Sequence, residues 1–186
     1  LGYETVRIGS IFSLVEYLAD GRRWDLVFNI AEGLHGLLRE SQVPALLDAY
    51  QIPYVFSDSF TLALTLHKEL AKRVVREANV PTAESVLIST AADLGTVDLA
   101  YPLFVKPVGG GTGMGISGLS KVESVGELRE VTSQLLAQFA QPVLVEQYLE
   151  GREFTVGITG TGEEASSVGV MEIVVDSACD GGIYSY

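Results

Sequence analysis

Residues 104–117 read FVKPVGGGTGMGIS, and five of the seven positions from 109 to 115 are glycine. Such a run has no side chains with which to build a core. It also disfavours a helix or strand interior, because glycine loses more backbone freedom on ordering than any other residue. The segments on either side, 102–106 and 115–119, read as strands. The chain is therefore predicted to reverse at the glycines as a hairpin flap. Backbone without Cβ atoms lets a phosphate approach its N–H groups closely. Thr112 and Ser117 add hydroxyl donors, and Lys106 adds a positive charge just before the glycines. A lysine inside an apolar strand needs an anionic partner. On these residues alone two readings stay open: a flap over phosphate, or a hairpin tip with no ligand.

The familiar phosphate motifs fit poorly. No GxxxxGK[ST] is present. Gly113-x-Gly115-x-x-Gly118 satisfies GxGxxG in form, but it opens a predicted strand rather than a helix. A glycine flap with a lysine on the adjacent strand is closer to the protein-kinase arrangement, although there the lysine follows the flap.

Charge narrows the ligand classes. The 186 residues carry a net charge of −12, which argues against a general electrostatic grip on nucleic acid. The charge is uneven: residues 144–186 hold eight carboxylates and one arginine, whereas 67–79 hold four basic and two acidic residues. An anionic ligand has to meet such a local basic patch. Apolar residues make up 47% of the chain, enough for a packed core, yet no apolar run reaches the roughly 20 residues of a membrane helix. The lone Cys179 allows neither a disulfide framework nor a cysteine metal site within the chain, which fits a reducing cytoplasm.

Helical and extended patterns alternate early, and strands dominate late. Strands are predicted at 25–29, 52–56, 102–106, 143–146, 154–159 and 168–175, with an extended stretch at 82–88 and a further strand beginning at 183–186. Helices are predicted at 44–50, 60–66, 67–78 and 124–139. In the third, Leu66, Leu70, Val74 and Ala78 form an apolar stripe beside a basic one of Lys68, Lys72 and Arg76, and Glu69 can pair with Arg73. The pattern predicts a doubly wound α/β unit followed by an α+β unit with an antiparallel sheet.

Four segments together resemble the ATP-grasp ligases, and among them the D-alanine–D-alanine ligases: DLVFN at 25–29, QIPYVFSDSFTLALTLHKELAKRVVREANVPT at 51–82, YPLFVKPVGGGTGMGIS at 101–117 and VLVEQYLEGREFTV at 143–156. The resemblance implies an ATP-grasp fold: part of a Rossmann-like N-terminal domain at 1–66, a central subdomain with the glycine flap at 67–150, and the start of a C-terminal subdomain at 151–186. It implies that Lys68 and Lys106 contact ATP phosphate and that the flap, with Gly110, Gly111, Thr112 and Gly113, closes over it. Glu146, Gln147, Tyr148 and Leu149 would hold adenine, and Glu153 the ribose. Thr112 stands where relatives have a serine that helps hold substrate. His35 is the candidate for a substrate-contacting histidine, although Glu32-Gly33 competes with His35-Gly36 for that place, and Arg39 and Glu40 lie in the same loop.

The activity implied is ATP-dependent ligation of a carboxylate to an amine, with D-alanine as substrate, in cytoplasmic synthesis of peptidoglycan precursors, by a protein whose relatives are commonly homodimers. Neither nucleic acid nor a membrane is an expected partner. Magnesium is implied as well, with ligands expected beyond residue 186, so the 186 residues alone are expected to be inactive. The flap departs from the EGSS-like run of such ligases, with Gly110 and Gly113 where relatives carry side chains. Two alternatives therefore stand: a ligase for another amino acid or peptide, and a non-catalytic nucleotide-binding module.

Overall fold

A computed structural model describes residues 2–175 and 183. The chain divides into two compact units, Leu1–Thr82 with Val108–Gly111, and Ala83–Pro107 with Thr112–Tyr186.

The first unit is mainly helical. Helix α1 (Ile11–Ala19) buries Leu14 and Leu18, one turn apart, and α2 (Gln42–Ala49) buries Val43 and Leu47. These four pack with Val27 and Ile52 into one apolar cluster. Helix α3 (Ser59–Leu66) starts where the Asp58 carboxylate accepts from the Thr61 N–H at 2.7 Å. His67 caps α4 (Lys68–Glu77), its Nδ1 accepting from the Leu70 N–H at 3.3 Å. The strands expected at 25–29 and 52–56 shrink to one parallel bridge, Val27 to Tyr54. Pro53 offers no N–H, and Phe56 turns left-handed at φ +76°, so neither side can extend the ladder.

The expected apolar stripe of α4 also fails to form a core, since Leu70 and Val74 are exposed. The helix instead buries the side of Glu69, whose carboxylate takes a 3.0 Å hydrogen bond from Arg73.

The second unit is built on an antiparallel sheet. Strands β1 (Ser85–Ile88), β2 (Leu103–Pro107), β3 (Lys121–Val122) and β4 (Val143–Gln147) lie in the order β1-β4-β2-β3. Alternation along β2 and β4 sends Leu103, Val105, Val143 and Val145 onto Leu128 and Leu135 of α5 (Val125–Phe139). Helix α5 opens as its capping signature predicts, Ser124 Oγ accepting from the Glu127 N–H. The Glu127 carboxylate reaches back one residue further than the standard box, to the Glu123 N–H at 2.8 Å. Strands β5 (Glu153–Thr159) and β6 (Ser166–Ile173) form a separate antiparallel pair.

The strand expected at 115–119 is absent. Thr112, Gly113 and Gly115 take positive φ, residues Gly118–Ser120 make a 3-10 turn, and only Lys121–Val122 return to pair with β2. Left-handed residues cannot run extended, so the return strand begins after the last of them. Of the segment expected at 183–186, Tyr184 and Tyr186 lie outside the described residues, as does Cys179.

Candidate functional site

Strands β2 and β4 turn one face to α5 and the other away from it. The second face carries Phe104 and Lys106 from β2 and Leu144 and Glu146 from β4, paired in register Phe104 to Glu146 and Lys106 to Leu144. Lys106 Nζ makes an ion pair and hydrogen bond with Glu146 Oε1. The anionic partner demanded by a lysine in an apolar strand is thus a carboxylate of the neighbouring strand, and both side chains are largely buried. Beside them the Phe104 and Tyr148 rings stack at 6.1 Å with an interplanar angle of 26°. The ammonium of Lys121 lies over the Tyr148 ring at 4.8 Å, in cation–π range.

Gln147 and Tyr148 donate their N–H groups within the unit, to the carbonyls of Glu84 at 3.0 Å and Pro102 at 3.1 Å. These bonds hold the end of β4 in place and leave that edge to be offered by the next residue, the exposed Leu149. Glu153 begins β5 and is exposed.

In the first unit, α4 brings Lys68 to the flap. Its backbone N–H donates to Val108 O at 3.0 Å, its Nζ donates to Gly110 O, and His67 bridges Gly109. The first turn of α4 and the Lys68 ammonium thus hold the start of the glycine run through its carbonyls. Glu40 is close to the same point: its Oε1 lies 3.4 Å from where a Cβ on Gly111 would sit. Burial pushes the Glu40 carboxyl up from its ordinary range. Arg39 pulls it back, Glu32 adds to the rise and Lys68 counters it.

His35 is exposed, and its carbonyl accepts from Gln42 Nε2 at 3.1 Å. Thr112 takes a left-handed φ of +52° at the start of the flap's second half. His35 belongs to the first unit and Thr112 to the second. Sequence reading did not single out Phe104 or Lys121. Phe104 was findable from its i, i+2 relation to Lys106, which puts both on one strand face. Lys121 was not, because the position of β3 was wrong.

A family model described as D-ala D-ala ligase C-terminus matches residues 74–186. The chain belongs to the D-Ala–D-Ala ligase family. The uncharacterized protein y4sG of Sinorhizobium fredii is 33% identical over 138 residues, covering 74% of this chain and 40% of its own length. A D-alanine–D-alanine ligase of Aquifex aeolicus is 34% identical over 163 residues, covering 87% of this chain and 51% of its own. Among solved structures, the VanG D-Ala:D-Ser ligase from Enterococcus faecalis superposes with a TM-score of 0.69 at 28% identity, over 80% of this chain and 43% of that one. The fold is ATP-grasp, with mixed helix and antiparallel sheet, as the resemblance implied. The chain spans about half the length of the curated relatives it matches. No helix among the described residues is long and apolar enough to cross a membrane.

Proposed function

We propose that the whole protein is an ATP-dependent ligase that joins the carboxylate of one amino acid to the amine of another, with D-alanine as substrate. The observation that carries this reading is the face of β2 and β4 in a chain of this family. Lys106 and Glu146 are paired there beside two stacked rings, and the glycine segment leaves β2 directly after Pro107.

In this reading Glu146, Gln147, Tyr148 and Leu149 flank adenine, with Phe104 and Tyr148 supplying aromatic surface. The Gln147 and Tyr148 N–H groups are already engaged, so a direct backbone N–H to the base falls to Leu149. Glu153 takes the ribose. Lys106 and Lys68 are phosphate ligands, and Gly110, Gly111, Thr112 and Gly113 lie against the phosphates. The γ-phosphoryl group passes to the carboxylate of the first amino acid as ADP departs. The amine of the second then attacks the acyl carbon, phosphate leaves, the nitrogen gives up a proton and an amide remains. The protein's part is positioning and charge neutralisation. Thr112 and His35 are assigned to substrate.

Magnesium belongs with such a reaction. Among the described residues no group of three or more His, Cys, Asp or Glu side chains gathers to hold a metal, so no residue here is assigned to it. The same reading divides the chain into residues 1–66, 67–150 and 151–186, as part of the N-terminal domain, the central subdomain and the start of the C-terminal one. It also places the protein in the cytoplasm, as a homodimer, in peptidoglycan precursor synthesis.

A second substrate reading is favoured by one observation. Between Gly110 and Gly113 the flap offers only the Thr112 hydroxyl and bare backbone, so it carries little with which to choose among amino acids. ADP release by the full-length protein, measured with no amino acid, with D-alanine and with other D- and L-amino acids, separates the readings. Release driven by D-alanine is expected. Release driven only by another amino acid would move the substrate, and nucleotide binding with no release would replace the ligase with a binding module.

A further inference from the structure

His67 lies where two helices meet. Its N–H donates to Leu64 O at 3.2 Å, which closes α3, and its carbonyl accepts from the Ala71 N–H at 3.0 Å, which opens α4. Its ring Nδ1 accepts from the Leu70 N–H at 3.3 Å. The glycine run is tied to the same point. His67 forms an antiparallel bridge with Gly109, the Lys68 N–H donates to Val108 O at 3.0 Å, and Lys68 Nζ donates to Gly110 O. All of these residues belong to the first unit. One residue therefore sets the end of α3, the start of α4 and the place from which Lys68 reaches the glycines.

A histidine cap differs from the usual ones. Ser, Thr, Asn and Asp cap a helix with an oxygen, and Asp58 on α3 and Ser124 on α5 do so here. The Thr61 N–H holds the Asp58 carboxyl below its ordinary range, so that acceptor persists in mild acid. An imidazole nitrogen accepts only when it carries no proton. The bond to Leu70 thus requires the neutral ring of His67, with its proton on Nε2. A second proton would turn Nδ1 into a donor facing the Leu70 N–H. It would also put positive charge at the positive end of α4, next to the Lys68 ammonium. The charged groups around this helix start are Lys68 and Glu69 of α4 itself, with Glu32, Arg39 and Glu40 around Lys68; α3 and residues 108–111 carry none.

We propose that His67 is a positioning residue for Lys68 and the glycine run, and that only its neutral ring does this, so the hold of α4 on the flap weakens in mild acid. The capped state binds one proton fewer than the uncapped state, so its share rises with pH and is lost as pH falls. Histidine is the side chain that changes charge between about pH 5 and 8. With histidine's ordinary value of about 6.5 for an uncapped ring, the ratio of capped to uncapped falls about tenfold between about pH 8.0 and 5.5. A cap of ordinary strength favours the capped state by about fivefold, so its population drops about two- to fourfold. The consequence for ATP rests on the phosphate role proposed for Lys68; the cap itself does not.

The test uses the full-length protein with His67→Asn, which keeps an acceptor at every working pH, and His67→Leu, which has none. Amide hydrogen exchange across residues 67–71, followed by mass spectrometry, compares the proteins at about pH 8.0 and again at about pH 5.5. The wild type should match His67→Asn at the higher pH and exchange about two- to fourfold faster than it at the lower. His67→Leu should exchange faster than His67→Asn at both. The KM for ATP, read from ADP release, should follow the same order, with the wild type rising about two- to fourfold above His67→Asn only in acid. Exchange that responds to pH equally in the wild type and His67→Asn would overturn the proposal. So would a His67→Leu protein that exchanges no faster than His67→Asn at the higher pH. The expected exchange with an ATP KM that stays level with His67→Asn would uphold the cap and overturn the phosphate role of Lys68. If no amino acid drives ADP release, the ligase reading fails while exchange still decides whether His67 holds the helix start.

Discussion

Gly115→Ala probes how much of the flap is shaped by packing rather than by a ligand. Gly115 sits at φ +74°, and a Cβ there would lie 2.6 Å from Pro107 Cγ and 2.9 Å from Phe139 Cε2. The left-handed backbone costs an alanine about 1–2 kcal/mol. The overlap adds about 1–3 kcal/mol, because Pro107 is a rigid ring in β2 and Phe139 ends α5, so neither yields freely. Replacing glycine also stiffens the unfolded chain, which returns about 0.4–1 kcal/mol. The net loss should be about 1–4.5 kcal/mol. Gly162→Ala is the control in the same unit: its φ is +59° with nothing within 4 Å of the added Cβ, so only the backbone part remains, about 1 kcal/mol or less. Urea unfolding followed by circular dichroism, with m compared across variants, measures both. Equal losses for the two variants would refute the packing account, and so would a loss below about 1 kcal/mol for Gly115→Ala.

Two further predictions concern charge. Lys106→Met, Glu146→Gln and the double variant should show a coupling of about 1–3 kcal/mol in a denaturation cycle, because each single change strands a largely buried partner; additive losses would mean the pair is not coupled. The Tyr54 hydroxyl, held by burial and by its 3.0 Å bond to Asp48, has its pKa pushed up to about 12. Its folded value exceeds the unfolded one, so this contribution is intact below about pH 10 and lost as pH rises from about 10 toward 12. Tyr54→Phe should flatten that alkaline limb of the stability curve, and an unchanged limb would assign it to other groups.

What was legible in the sequence followed from periodicity and caps. Strands β2 and β4 announced themselves by apolar runs, and α5 by Ser124 and Glu127, and each lies where expected within a residue or two. Helix α1 was not anticipated, although Ile11, Leu14, Val15 and Leu18 fall at helical spacing. The failures share a cause: tertiary context and backbone sign are not written in hydropathy. Leu70 and Val74 keep the spacing of a buried stripe while α4 buries Glu69. Residues 115–119 are apolar enough for a strand, yet the positive φ of Gly115 starts them in a turn. For the site, the charge of Lys106 raised the right question, but only the register of β2 and β4 shows that Glu146 answers it.

The glycines of residues 109–115 do not share one task. Gly109 and Gly110 lie along the start of α4, where the Gly110 carbonyl takes the Lys68 ammonium and Gly109 bridges His67. Gly111 leaves open the space beside the Glu40 carboxylate. Gly115 admits Pro107 and Phe139, and no side chain could replace it without moving one of them. A phosphate cradle needs bare N–H groups, but it does not need Gly115 to be packed against a proline ring. The hold of α4 on Gly110 and the packing at Gly115 are therefore separable within a single run of seven residues. Substitutions at 110 and 111 should act first on ligands, and those at 115 first on stability.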